Sequence, residues 1–167
     1  MGDPGLVEWR GAAVISDDLR QGPPMLRCLL KLLPHRDLYD PDADQVYMRR
    51  HYLFRSPFGG VFLHNIRTSD AGRDLHDHPW AFMSVLLKGG YVEQTPEGSR
   101  HIEAPAVTVH SPDDLHRIAL ENGEVWSLFI HGPRRQTWGF ATDQGWVRHD
   151  EYDSDYTSVH RRSRGRP

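Results

Sequence analysis

Residues 74–93 read DLHDHPWAFMSVLLKGGYVE. His76 and His78 stand one residue apart, and a proline, a tryptophan, an apolar run and a double glycine follow. In an extended strand, residues i and i+2 project to the same face. The two imidazoles would then sit side by side, able to reach one ion at metal–nitrogen distances of ~2.0–2.1 Å. Spacing alone is weak, because 11 histidines placed at random in 167 residues give roughly 0.7 such pairs. Context has to decide. The apolar run 81–88 reads as the returning strand of a hairpin with the histidine pair, closed at Gly90. A third candidate is distant: His116 lies in SPDDLHRIAL, a turn that enters a later strand after the apolar run 106–109.

Working outward, the chain is a succession of short β-type runs. They cover 46–54, 61–67, 81–88, 91–95, 100–104, 106–110, 116–121, 125–131, 137–142 and 146–150, separated by Gly59-Gly60, Gly89-Gly90, Gly98-Ser99, Asn122-Gly123 and Gln144-Gly145. Many short strands at even spacing with glycine turns predict a mainly β sandwich or closed barrel. No repeat or second domain is evident, and this length is enough to bury roughly two-thirds of the unfolded surface in one core. Residues 46–152 are assigned to the barrel. Residues 1–45 form an N-terminal extension, with a short helix at about 24–33. There Pro24 occupies the first turn, Met25, Leu29 and Leu32 share a stripe, and Pro34 ends it. The stretch 35–45 reads as a loop, and the basic tail 153–167 as disordered.

The formal charge of −3 gives no basic bulk, so no specific nucleic acid is expected. Cys28 is the sole cysteine, which excludes an intrachain disulfide and suits a reducing compartment. It is read as a buried helix residue. The first ten residues carry no apolar signal run, and no apolar stretch approaches the ~20 residues of a membrane helix. The expectation is a cytoplasmic protein without membrane contact. A serine nucleophile elbow, a phosphate-cradling glycine loop, a dinucleotide fingerprint and a cysteine zinc set are all missing. Hydrolase, kinase and dehydrogenase chemistry are correspondingly disfavoured.

The histidine pair, the glycine after it and the later Pro112 and His116 resemble the cupin superfamily. Its first motif carries a His-x-His pair, a glutamate four or five residues on, and a glycine after six more. Counting back from Gly90 puts Met83 in the place of the glutamate, and Leu120 stands where the second motif has an asparagine. The resemblance spans roughly 60–142. The string from YLFRSPFGGVFLHNI through HDHPW and GGYVE to WGF and GWV also resembles a group of bacterial and phage cupins, which implies a fold and no substrate. It implies a single-domain cupin-type β-barrel (a double-stranded β-helix or jelly roll) with one divalent metal held by His76, His78 and His116. Three neutral imidazoles leave the ion's charge undiminished and about three positions open, as in cupin dioxygenases that hold iron this way. Such a set favours an anionic, chelating substrate.

The expected function is therefore a metal-dependent enzyme acting on a small organic molecule, first a non-haem Fe(II) dioxygenase. The alternatives are a non-oxidative isomerase or lyase using Zn, Mn or Ni, and a non-catalytic small-molecule-binding cupin. The residues do not fix an oligomeric state; the resemblance implies pairing through sheet edges, as in a homodimer. Tyr91, Glu93 and His64 are the candidate proton-handling residues. Glu93 shares a face with Tyr91 and is read as a ligand, a base, a support behind a ligand or a surface residue. His64 is a hydrogen-bonded core histidine, or reaches the pocket if its strand pairs with that of His76. Asp74 shares the parity of the histidine pair and either orients one of them or ends a loop. Asp77 points the other way and caps a turn. His110 is read as solvent-facing and His131 as a strand end. Arg134 and Arg135 either clamp a substrate carboxylate or sit in a solvated turn. Trp80, Phe82, Phe129, Trp138 and Phe140 are read as packing, some of it lining a pocket.

Overall fold

The computed structural model describes residues 6–8, 30, 32–39, 45–70, 72 and 74–152. Thirteen strands lie among them. They are β1 (Leu6–Glu8), β2 (His35–Tyr39), β3 (Val46–Ser56), β4 (Gly59–Ile66), β5 (Leu75–His76), β6 (Phe82–Lys88) and β7 (Gly90–Thr95). There follow β8 (Gly98–Glu103), β9 (Ala106–His110), β10 (Arg117–Leu120), β11 (Val125–His131), β12 (Gly139–Thr142) and β13 (Gly145–Arg148). One seven-stranded sheet runs β1-β9-β6-β11-β4-β3-β2, and two three-stranded sheets run β10-β7-β8 and β13-β12-β5. Every pairing is antiparallel.

Period-two alternation builds the interior. On β6 the residues Phe82, Ser84 and Leu86 are buried while Met83 and Val85 are less so; on β9, Ala106, Thr108 and His110 are buried and Val109 is exposed. Met48, Ile66, Leu86, Ala106 and Val125 of the large sheet meet Tyr91 and Ile102 of a small one in the main core. A second cluster joins Phe62, Phe82 and Phe129, flanked by Tyr52 and Trp80. Phe82 and Phe129 stack at 4.7 Å between centroids. Full burial of side chains such as Leu86, Ile102 and Val125 contributes about 1.5–3 kcal/mol each.

Three sequence expectations change. The stretch 35–45, read as a loop, contains β2. Arg49 forks onto Asp37 across the β2–β3 register, with Nε and Nη2 each 2.7 Å from a carboxylate oxygen. Pairing with a long neighbour overrides the local turn chemistry. The histidine pair does not form a hairpin with 81–88. β5 pairs with β12, whereas β6 lies between β9 and β11 in the large sheet. Finally, Gly89 rather than Gly90 carries the turn's positive φ of 77°, and a side chain there would meet Glu124 O at 2.7 Å.

The helix expected at 24–33 lies outside the described residues apart from positions 30, 32 and 33, and Leu32 is 80% exposed. Cys28 and the tail 153–167 also lie outside them. Among the described residues, no helix is long and apolar enough to cross a membrane.

Candidate metal centre

The site lies on the seam between the two small sheets. His76 and His116 oppose each other in an isolated antiparallel bridge, His76 N donating to His116 O at 2.8 Å and His116 N to His76 O at 3.0 Å. His78 N donates to Pro112 O at 3.1 Å. The Gln136 amide ties the same two segments, donating to His78 O at 3.2 Å and Pro112 O at 3.1 Å. Backbone pairing thus places three histidines that are up to 40 positions apart in the chain around one point, with His78 next to His76 by strand parity.

The three rings form a near-equilateral triangle, with centroids 5.1 Å (His76–His78), 5.0 Å (His76–His116) and 5.0 Å (His78–His116) apart. One ring nitrogen from each lies within 4.8 Å of the others. The Nε2 atoms of His78 and His116 are 2.8 Å apart. Two nitrogens ~2.1 Å from one ion and at right angles to each other stand ~3.0 Å apart, so the pair has the separation of adjacent ligands. Burial lowers the pKa of His76 and takes that of His78 well below the ordinary histidine value, where the neighbouring imidazoles reinforce it. Both rings are therefore neutral at pH 7, with a lone pair to offer. Asp70 Oδ2, 3.9 Å from His76 Nδ1, opposes the effect at His76.

Behind His116 stands Glu93, which is wholly buried. Its Oε1 accepts from His116 Nδ1 at 2.7 Å, turning Nε2 toward His78. Its Oε2 accepts from Arg100 Nε at 2.7 Å, with Arg100 Nη2 at 2.6 Å. Both oxygens are thus engaged away from the triangle of imidazoles. Glu93, His110 and His116 also converge closely enough to hold an ion, but the Arg100 guanidinium already neutralises that carboxylate. The group is a hydrogen-bonded support.

His110 requires a correction. Read as solvent-facing, it is 5% exposed, stacks on Phe82 at 4.7 Å and lies with Nε2 3.2 Å from Glu93 Oε1. Local alternation did not carry that signal, because Val107 and Val109 are the more apolar residues of the strand while Ala106, Thr108 and His110 face inward. Burial pushes its pKa down to about 4, with His116 adding to the fall. The motif position likewise moves: Met83 turns away from the interior, and Phe82 faces the site edge-on to His78 at 4.6 Å. An aromatic ring occupies the ground where the resemblance puts a carboxylate.

A cavity of about 90 Å³ lies beside the histidines, lined among others by Arg50, His64, Trp80, Phe82, Tyr91 and Phe129. His64 reaches it although β4 pairs with β3 and β11 rather than with β5. Burial takes the His64 pKa well below its usual value, and its Nε2 accepts from Arg50 Nε at 3.0 Å. Tyr91 shares the inward face with Glu93, and burial, followed by the Glu93 charge, raises its phenol pKa further. It therefore keeps its proton and serves as a hydrogen-bond donor.

Other candidates stand apart. Asp74 accepts from Tyr152 OH at 3.0 Å. Asp77 accepts from Gly139 N at 2.7 Å and Trp146 Nε1 at 2.9 Å, bracing the β12–β13 hairpin. His131 packs on Trp80 at 4.3 Å. Arg134 and Arg135 are exposed and do not line the cavity. Sequence reasoning passed over Arg50 and Arg100, whose places depend on cross-strand register, and Asp70, which is held by hydrogen bonds to Ile118.

No family model and no curated protein matches the chain. Solved structures do. A cupin-2 domain protein from Rhodospirillum rubrum aligns at TM-score 0.56 and 13% identity, covering 68% of this chain and 78% of that one. A cupin 2 conserved barrel domain protein from Rhodopseudomonas palustris gives TM-score 0.56 and 12% identity over 68% of this chain and 80% of its own. A sugar phosphate isomerase of the cupin superfamily from Silicibacter pomeroyi gives 0.54 and 14%, over 75% and 96%. At such identities the likeness speaks for architecture alone. By its fold, this chain has the architecture of the cupin barrels.

Proposed function

We propose that the chain is a metal-dependent enzyme of small organic molecules, and specifically a non-haem Fe(II) dioxygenase. The observation that carries this reading is the convergence of His76, His78 and His116, with no carboxylate among them, beside a cavity inside the barrel. The donor set fits a divalent ion: three imidazole nitrogens, two of them held neutral by burial, the third aimed by Glu93. Imidazole suits iron as well as zinc and nickel. A bound Fe(II) would supply one-electron and O2 chemistry that side chains lack.

The chain's own residues define the rest. Phe82, Trp80 and Phe129 line the cavity beside the histidines with aromatic rings. Glu93 fixes the tautomer of His116, so that the proton stays on Nδ1 and the Nε2 lone pair faces the centre. Tyr91 keeps its proton and can offer its hydroxyl as a hydrogen-bond donor. His64, held neutral by burial, has its Nε2 occupied by Arg50, which leaves Nδ1 as the protonated nitrogen.

Oxygen uptake by iron-loaded protein, assayed across a panel of small acids, thiols and diketones, tests the reading. Uptake that disappears in His78→Ala while the fold persists supports it. Full turnover by a zinc form without oxygen consumption would place the chemistry among isomerases and lyases instead.

A further inference from the structure

Arg50 projects from β3 into the barrel, opposite His64 in the β3–β4 register. Its Nε donates to His64 Nε2 at 3.0 Å, and its guanidinium carbon lies 5.1 Å from the Phe62 ring centroid. Among the described residues, no carboxylate reaches it. Burial lowers its pKa, and the groups that act on its charge are Tyr52, Tyr47 and Arg36. An arginine has five N–H donors, and among the described residues only one of them is engaged. An unpaired guanidinium in a part-buried position is costly to maintain, so its retention calls for a partner that arrives from outside.

A second donor points the same way. Trp80 lines the same cavity, and its Nε1 is buried without an acceptor. Charge balance agrees. Glu93 is matched by Arg100, which leaves Asp70 as the negative group lining the cavity. Its Oδ2 already accepts from Ile118 N at 2.7 Å, and its Oδ1 from Tyr47 OH. A divalent ion plus Arg50 would outweigh Asp70 by two charges. The space is small, about 90 Å³.

We propose that the cavity takes a small carboxylate whose acid group is gripped by the Arg50 fork, with the Trp80 indole N–H as a further donor. This assigns the substrate class and its anchor, and it rests on the metal-site reading for what happens to the rest of the molecule. A planar acid with only acceptor oxygens satisfies both idle donors and matches the guanidinium fork two-to-two. His64 holds the fork in place through Nε. Arg134 and Arg135, the acid clamps suggested by sequence, are exposed and do not share the cavity.

The test is titration of the full chain with acetate, glycolate and inorganic phosphate, read by calorimetry and by melting temperature, with and without Zn(II). Metal content is measured on the same samples. Acetate and glycolate are expected to bind and raise the melting temperature of the metal-free protein, and phosphate to bind more weakly. Arg50→Met should abolish the anion response while retaining the wild-type metal stoichiometry. Arg50→Lys, which keeps the charge but not the fork, should weaken binding at least tenfold, and Trp80→Phe about tenfold. A folded Arg50→Met or Arg50→Lys protein with wild-type carboxylate affinity would overturn the proposal. So would a wild-type protein that holds metal yet ignores both carboxylates, or one that binds phosphate more tightly than either. Carboxylate binding that persists in protein unable to hold metal would uphold the Arg50 anchor and refute the metal-site reading separately.

Discussion

Replacing Glu93 with glutamine preserves the side chain's shape but removes the charge that faces His116 Nδ1 at 2.7 Å. Groups that orient a metal-binding histidine from behind are worth about 10–100-fold in affinity. Chelator competition on Glu93→Gln should show a loss of that size, and an unchanged affinity in the folded variant would remove Glu93 from its supporting role. The buried histidines also set a pH dependence. His110 has its pKa lowered to about 4, and those of His64 and His78 lie well below the usual value. Between those values and the ~6.5 of an unfolded histidine, the unfolded chain binds more protons. Stability of the metal-free protein is therefore full above ~6.5 and is lost as pH falls toward 4. His110 alone accounts for something on the order of 3 kcal/mol. Urea midpoints measured at pH 7.5, 5.5 and 4.5 should fall in that order; a flat series would contradict the burial of these rings as neutral species.

At the level of elements, the β12–β13 hairpin is held by a close approach at Gly139. A methyl group there would stand 2.2 Å from Val147 O and 2.8 Å from the Trp146 ring. Gly139→Ala should destabilise the protein by roughly 2–4 kcal/mol and free Asp77 from the Gly139 N–H. A lowered melting temperature checks it, together with faster amide exchange confined to residues 139–148. Element-level patterns also explain what could be read without coordinates. Short β-type runs at even spacing and the glycine turns between them made a β-barrel legible, and parity alone placed His76 beside His78. His116 was legible through a motif. Its direct opposition to His76 was not, because that bridge joins two sheets across 40 positions. The same holds for Arg50 opposite His64 and Arg100 opposite Glu93 in neighbouring strands. Register is a long-range property, and a local stretch such as 35–39 reads as a turn until its partner strand is known.

For the whole molecule, two apolar clusters flank a polar interior. The main core includes Leu86, which is fully buried. Leu86→Ala should lower stability by about 2–5 kcal/mol in urea unfolding, with little change in the slope of the transition. A loss below 1 kcal/mol would mean that the layers do not close over this residue. The rigid shell is what allows three imidazoles, a wholly buried glutamate and a part-buried arginine to be held close together in a small space. The most direct measurement is the metal content of purified wild-type protein and of His76→Ala, His78→Ala and His116→Ala, each incubated with Fe(II), Mn(II), Ni(II) or Zn(II) and freed of excess. One equivalent in the wild type and loss of it in every folded variant is the expected result. A full equivalent retained by any of the three, or none bound by the wild type, would contradict a shared ion at His76, His78 and His116.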